Sequence, residues 1–241
     1  MLGTYIIFEG SDGAGKTAIM KAVSEAVRPV LEAEGFDPNN KIHLTHHPGS
    51  TPLGAHLRTL VKTPEQIDSE IIIDPLSRQM LYMVDTVSFA KSRLEPALEK
   101  GEFVFADRSS FISSLVYGCA EGVSIEEIQR LFAIYDPPKA DRLYVLRCPW
   151  TIAKERMMQD RGDNIKLDYY DRKEDGFFDK IIDLYDNLLT GPPERTVAVS
   201  RSVQLNNVIY IDATQPIDRV VDEILDDFKT VLRQRVSASS E

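Results

Sequence analysis

Residues 8–17 read FEGSDGAGKT, and the rest of the chain is organised around that stretch. A run of apolar side chains, Tyr5, Ile6, Ile7 and Phe8, stops at a turn carrying Gly10, Gly13 and Gly15. A lysine, a threonine and a helix-like pattern follow without a break, with Ile19, Val23, Val27 and Val30 at helical spacing. Gly10, Gly15, Lys16 and Thr17 satisfy the spacing G-x-x-x-x-G-K followed by serine or threonine, which between a strand and a helix is the signature of a phosphate-binding loop. Glycines let backbone N–H groups turn inward around an anion. The helix that starts near Lys16 adds its positive N-terminal end. Gly10, Ser11, Gly13, Ala14 and Gly15 are therefore expected to cradle the phosphates of a nucleoside triphosphate. Lys16 is expected to reach the β- and γ-phosphates, and Thr17 to offer a hydroxyl to Mg²⁺.

The bounds around this loop are ordinary. A chain of 241 residues fits one domain, expected over residues 1–236, with 237–241 as a disordered tail. Hydrophobic residues at 43% and charged residues at 27% suit a soluble globular protein. No apolar stretch approaches the roughly 18–20 residues needed to cross a bilayer. The strand pattern begins at once, which predicts no secretory leader. Cys119 and Cys148 show no metal-type spacing and read as reduced, packed thiols of a cytoplasmic protein. The net charge of −10 opposes a generic nucleic-acid coat. It leaves room for a local basic pocket around a phosphorylated small molecule.

Short apolar runs at 4–8, 42–45, 102–106, 142–146 and 208–211 read as five strands. Amphipathic stretches separate them: Met80, Val84, Val87 and Leu94 mark one, and Ile217, Val221, Ile224, Phe228 and Val231 the last. Strands buried on both faces and alternating with helices predict a parallel sheet with right-handed crossovers, a three-layer α/β sandwich. Residues 191–207 fit no element and are expected as a loop or an edge hairpin.

A phosphate-binding loop alone leaves a kinase, a nucleotide-switched binding protein or a motor-type ATPase open. The guanine-reading N-K-x-D of a switch is missing, since Asn39-Asn40-Lys41-Ile42 lacks the aspartate. Three further stretches discriminate: THHPGSTPLGAHLR at 45–58, FVFADRSSFISSLVYG at 103–118 and DRKEDGFF at 171–178. With the opening loop, they make the chain resemble the thymidylate kinases. That family shows F-E-G-x-D/E-G-x-G-K-T, then R-E-P-G-G-T-P-L-G, then D-R-Y or D-R-H. S-S/T-x-A-Y-Q-G follows, and last come R-G and D-R-x-E ahead of paired phenylalanines. The matches run in order from residue 4 to about 190.

The resemblance implies a P-loop kinase sandwich with a five-stranded parallel sheet and a mobile lid at about 156–174. It also implies transfer from ATP to dTMP with Mg²⁺, and a homodimer formed through helices beside the sheet, for which residues 76–98 offer apolar side chains. Nucleic acid and membrane are not implied as partners. A monophosphate kinase needs two anion sites facing each other for in-line transfer. Asp107-Arg108 ends a strand, where α/β sheets place ligands. By resemblance Arg108 holds the acceptor phosphate, Asp107 orders Mg²⁺ or its waters, and Asp12 meets the sugar 3′-hydroxyl. Position 14 is alanine, so transition-state charge falls to lid arginines: Arg156, Arg161 on the adenine, and Arg172 on the transferred group. For the acceptor base the resemblance implies Tyr82 as the stacking aromatic, Ser113 and Ser114 as small polar contacts, Tyr117 under the deoxyribose, and Pro48 and Arg58 near the base.

The base pocket departs from the family pattern. The family's F-A-A-D-R is Tyr82-Met83-Val84-Asp85-Thr86, so Thr86 stands where an arginine reads thymine. The R-E of the second motif is His46-His47, and one extra residue lies near Ser109-Ser110. A kinase for another deoxynucleoside monophosphate, such as a pyrimidine modified at its 5-position, therefore stays open. A non-catalytic nucleotide-binding regulator stays open as the reading from another class.

Overall fold

The computed structural model describes residues 3–161, 167–188 and 191–238. Five strands form one sheet: β1 (Thr4–Glu9), β2 (Ile42–His46), β3 (Phe103–Asp107), β4 (Arg142–Arg147) and β5 (Val208–Asp212). Their order is β2-β3-β1-β4-β5, and every pairing is parallel. The strands are short runs of aromatic and β-branched residues, the side chains that pack best on a pleated surface. Alternation along them feeds two cores. Tyr5, Ile7, Val104, Ala106, Leu143 and Val145 face one layer, and Ile6, Phe8, Phe103, Phe105, Tyr144 and Leu146 face the other. The chain winds to β2 and β3 on one side of β1 and to β4 and β5 on the other. The carboxyl ends beside that central strand are where a crevice opens.

The helix Lys16–Ala26 follows the glycine-rich turn and packs on β2 and β3, and Pro52–Lys62 and Pro75–Phe89 pack against each other. The latter starts on an Asp74 cap, whose carboxylate accepts the Ser77 N–H at 3.0 Å. It continues through a π-helical turn, Ala90–Leu94, into the helix Glu95–Glu99. Residues 191–207 are neither loop nor hairpin. They hold a helix, Pro193–Val199, and a 3₁₀ turn, Leu205–Asn207, with Ala198, Val199 and Val203 buried in the core. Seven residues span only two turns, too few for a periodic signal to stand out. The closing helix Ile217–Ala238 takes in two residues of the segment expected as a tail, and 239–241 lie outside the described residues. No helix among the described residues is long and apolar enough to cross a membrane.

Candidate active site

The turn after β1 is shaped by its glycines. Gly13 has φ +77°, and a Cβ there would lie 2.2 Å from the Ala153 carbonyl oxygen, so only glycine fits. Ser11 and Ala14 are buried in the turn. Lys16 Nζ donates to the Ser11 carbonyl at 2.7 Å, folding the side chain back over the loop. Burial, helped by the nearby Arg108 charge, pulls the Lys16 ammonium down to about 8, against the opposite pull of Asp12 and Asp107. The Thr17 hydroxyl donates to the Asp107 carboxylate at the end of β3.

Asp107 pairs in register with Phe8 of β1 and His46 of β2, so the strand ends converge on this loop. Arg108 comes next and is the only non-glycine residue with positive φ among those described (79°). Left-handed backbone at a branched, bulky residue costs of order 1–3 kcal/mol and persists only when surroundings hold it. Here Glu9 supplies the hold. Its fully buried carboxylate accepts the Ser109 N–H at 2.7 Å, the Tyr185 hydroxyl at 2.7 Å and the Ser113 hydroxyl at 3.1 Å. Burial pushes the Glu9 carboxyl up, with Arg108 pulling the other way. The Arg108 guanidinium meets Asp12 at 2.6 Å and the hydroxyls of Tyr117 and Tyr185 at 3.0 and 3.1 Å. Although burial favours the neutral acid, Arg108 and Lys16 outweigh it and hold the Asp12 carboxyl far below the usual range.

These groups open onto one cleft of about 820 Å³. Asp12, Lys16, Thr17, Asp107 and Arg108 occupy its middle. One end is lined by Arg156, Met157, Ala213, Ile217 and Val220, and the other by His47, Pro48, Arg58, Tyr82, Ser110 and Tyr117. Arg156 donates to the Ala213 carbonyl at 2.8 Å, and Arg58 to that of Pro48 at 2.9 Å. The middle brings together two cations, Lys16 at the start of the helix after β1 and Arg108 just past β3, a charge arrangement suited to anions. The ends offer an apolar slot on one side and an aromatic, polar slot on the other. Among the described residues no group of three or more His, Cys, Asp or Glu is arranged to hold a metal.

Besides Gly10, Ser11 and Ala14 of the turn, three residues expected in the cleft do not line it. Arg172 pairs with Glu65 and donates to the Leu167 carbonyl at 3.0 Å, in a segment whose Tyr169 N–H is bound to the Lys62 carbonyl at 2.8 Å. Thr86 donates to the Tyr82 carbonyl one turn back at 2.9 Å, the usual resort of a helical threonine. Ser114 is fully buried with its hydroxyl unpaired; Ser113 and Ser110 face the cleft instead. A π-helical turn, Ser114–Gly118, follows the short helix Ser110–Ser113. Arg161 ends the helix Trp150–Arg161, and its side chain, with residues 162–166 of the expected lid, lies outside the described residues.

Comparison with known proteins agrees with this geometry. The family model described as thymidylate kinase matches residues 8–224. The chain belongs to the thymidylate kinase family. A thymidylate kinase of Exiguobacterium sibiricum is 30% identical over 236 residues, covering 98% of each chain. One of Lacticaseibacillus casei is 28% identical over 243 aligned positions, covering 97% of each. One of Caldicellulosiruptor saccharolyticus is 30% identical over 231, covering 93% of this chain and 98% of the relative. Thymidylate kinases are nucleoside monophosphate kinases, so the chain is an enzyme of that class.

Against the family motifs, sequence reasoning missed several members of the site. Glu9 had a visible signal, an acid ending an otherwise apolar buried strand. Asp85 and Ser110 were missed as well: they form a buried cluster with His47, whose place in the sequence suited a pocket wall and which lines the cleft, His47 Nδ1 lying 3.1 Å from Asp85 and 3.2 Å from the Ser110 hydroxyl. Tyr170 and Tyr185 come from segments far along the chain and had no local signal.

Proposed function

We propose that the chain transfers the γ-phosphoryl group of ATP directly to the 5′-phosphate of dTMP, giving dTDP and ADP. The observation that carries this reading is the pairing of two cationic sites in one cleft, Lys16 on the glycine loop and Arg108 at the end of β3. Binding a nucleotide as a signal needs one such site; joining two phosphates needs both. Asp12, already bonded to Arg108, suits the sugar hydroxyl of the acceptor. Tyr82 and Tyr117 line the slot in which the base and sugar lie. Arg156 and the apolar residues around Ala213 line the slot for adenine.

Mg²⁺ fits what is present. It takes few protein ligands and relies on substrate phosphates and water, and it prefers hard oxygens. The Thr17 hydroxyl and Asp107 carboxylate are two such oxygens in contact at the loop. They would hold the ion, which neutralises phosphate charge. Lys16 and Arg108 then bring the two phosphates together against their mutual repulsion and exclude water between them.

A homodimer suits the exposed apolar residues Leu53, Met80 and Val84 on the helices Pro52–Lys62 and Pro75–Phe89. The two cysteines are free, as suits a reducing cytoplasm. The departure of Thr86 from the cleft favours a second reading, a kinase with a broader or modified pyrimidine acceptor. The deciding experiment is ADP release with ATP and Mg²⁺ against dTMP, dUMP, 5-substituted dUMPs, dCMP, dGMP and dAMP. The highest kcat/KM is expected for dTMP. A flat profile or another preferred acceptor supports the second reading, and no turnover with any acceptor rejects both.

A further inference from the structure

The helix Pro75–Phe89 and the segment 167–173 meet in a buried cluster that phosphoryl transfer does not use. Glu121, sealed from solvent, accepts the Tyr169 hydroxyl at 2.7 Å and the Tyr170 hydroxyl at 3.2 Å. Arg78, equally buried, lies 4.0 Å from Glu121 and stacks its guanidinium 3.6 Å over the Tyr169 ring. Lys173 approaches the same ring at 4.3 Å and Glu121 at 3.7 Å. Apolar packing would hold the segment with less desolvation, so the gain from burying these ions is a fixed geometry rather than stability.

What the cluster delivers to the cleft is Tyr170. Among the described residues of 167–173 it alone lines the cleft, and Tyr82 alone does so from the helix Pro75–Phe89. The Tyr170 ring stands edge-on to Tyr117 with centroids 5.0 Å apart, and its oxygen lies 3.4 Å from that of Tyr82. Proton accounting sets the direction of this pair. Tyr170 has one hydroxyl proton, and the acceptor-only Glu121 carboxylate takes it. Tyr82 must then donate to Tyr170, which leaves its own oxygen with lone pairs alone. A thymine or uracil ring offers an N3–H to such an acceptor, whereas cytosine presents a bare N3.

We infer that Tyr170 is a specificity-determining residue for the acceptor base. Glu121, Arg78 and Tyr169 position it, and together with Tyr82 it makes the polar end of the acceptor slot. This rests on the phosphotransfer reading above.

The test uses the full chain and two readouts, calorimetric binding of dTMP and dCMP, and steady-state kcat/KM for both with ATP. Tyr170→Phe removes only the hydroxyl and frees the Tyr82 proton. It is expected to weaken dTMP binding about fivefold, the worth of one hydrogen bond. It is also expected to lower the dTMP-to-dCMP ratio of kcat/KM at least about threefold while KM for ATP holds. Tyr170→Ala, which opens the slot, should weaken dTMP binding by about tenfold or more. A Tyr170→Phe protein with wild-type thermal stability and an unchanged dTMP-to-dCMP ratio in both readouts overturns the inference. Binding that shifts as expected in a chain with no turnover supports Tyr170 and overturns the phosphotransfer reading instead.

Discussion

Asp12 and Arg108 are joined at 2.6 Å in the middle of the cleft, one from the turn after β1 and the other from the residue after β3. Each therefore fixes the other, which in the proposed reaction sets the acid toward the sugar of the acceptor and the base toward its phosphate. The pair is partly open on the Asp12 side, so a phosphate can reach Arg108 without dismantling the cluster behind it.

Replacing Arg108 by alanine removes the proposed acceptor-phosphate contact and takes from Asp12 of the glycine turn its ion-pair partner. The expected result is a fall in kcat of about 10²–10³-fold, the usual loss when one transition-state charge contact goes. KM for dTMP should rise as well, while equilibrium ATP binding stays within about twofold, because losing the neighbouring Arg108 cation moves the Lys16 ammonium only upward and leaves it charged at neutral pH. Steady-state kinetics paired with ATP titration check this. A loss of ATP binding in a folded variant would place Arg108 in the donor site instead.

Lys16 gives a pH prediction. Burial and the Arg108 charge hold its ammonium down at about 8 in the free enzyme. The charged form is the one that binds triphosphate, so kcat/KM for ATP should be flat below that value and fall as pH rises through it. Bound ATP stabilises the ammonium, so the kcat profile should break at higher pH than the kcat/KM profile. A kcat/KM profile level to pH about 10 would count against this, and Lys16→Ala should abolish turnover at every pH.

The sheet was legible because its strands are buried on both faces and read as apolar runs, and the loop because its glycines do one geometric task. The rest depended on long-range contacts. Arg172 lies outside the cleft because it meets Glu65, 107 residues away. Ser114 opens a π-helical turn and is buried while Ser113 faces the cleft, and such a turn has no simple sequence signature. Thr86 could have been read correctly, since a helical threonine commonly bonds the carbonyl four residues back.

Glu9 should be a positioning residue. In Glu9→Gln the volume is kept, but an amide NH₂ faces the donors on Ser109, Ser113 and Tyr185. The expected stability loss is about 1–3 kcal/mol for groups left unpaired in the interior. That corresponds to a fall in Tm of about 2–4 °C for each kcal/mol in a chain of this size. Arg108 then loses part of its support, so KM for dTMP should rise with KM for ATP unchanged. Calorimetry and the two KM values test it, and a wild-type Tm with both KM values unaltered would show that the strained Arg108 backbone is held by other contacts.

The arginines of the segment after β4 should separate cleanly. Arg172 is exposed and paired with Glu65 on the surface, where water and salt screen such a contact to little worth. Arg172→Ala should therefore leave kcat and both KM values within about twofold. Arg156 lines the donor end and bonds the Ala213 carbonyl, so Arg156→Ala should raise KM for ATP about tenfold through lost packing and a lost hydrogen bond. Its KM for dTMP should not move. If Arg172→Ala instead lowered kcat a hundredfold with ATP binding intact, the segment 167–173 would have to swing inward during turnover and break both its Glu65 pair and the Tyr169 N–H bond to Lys62.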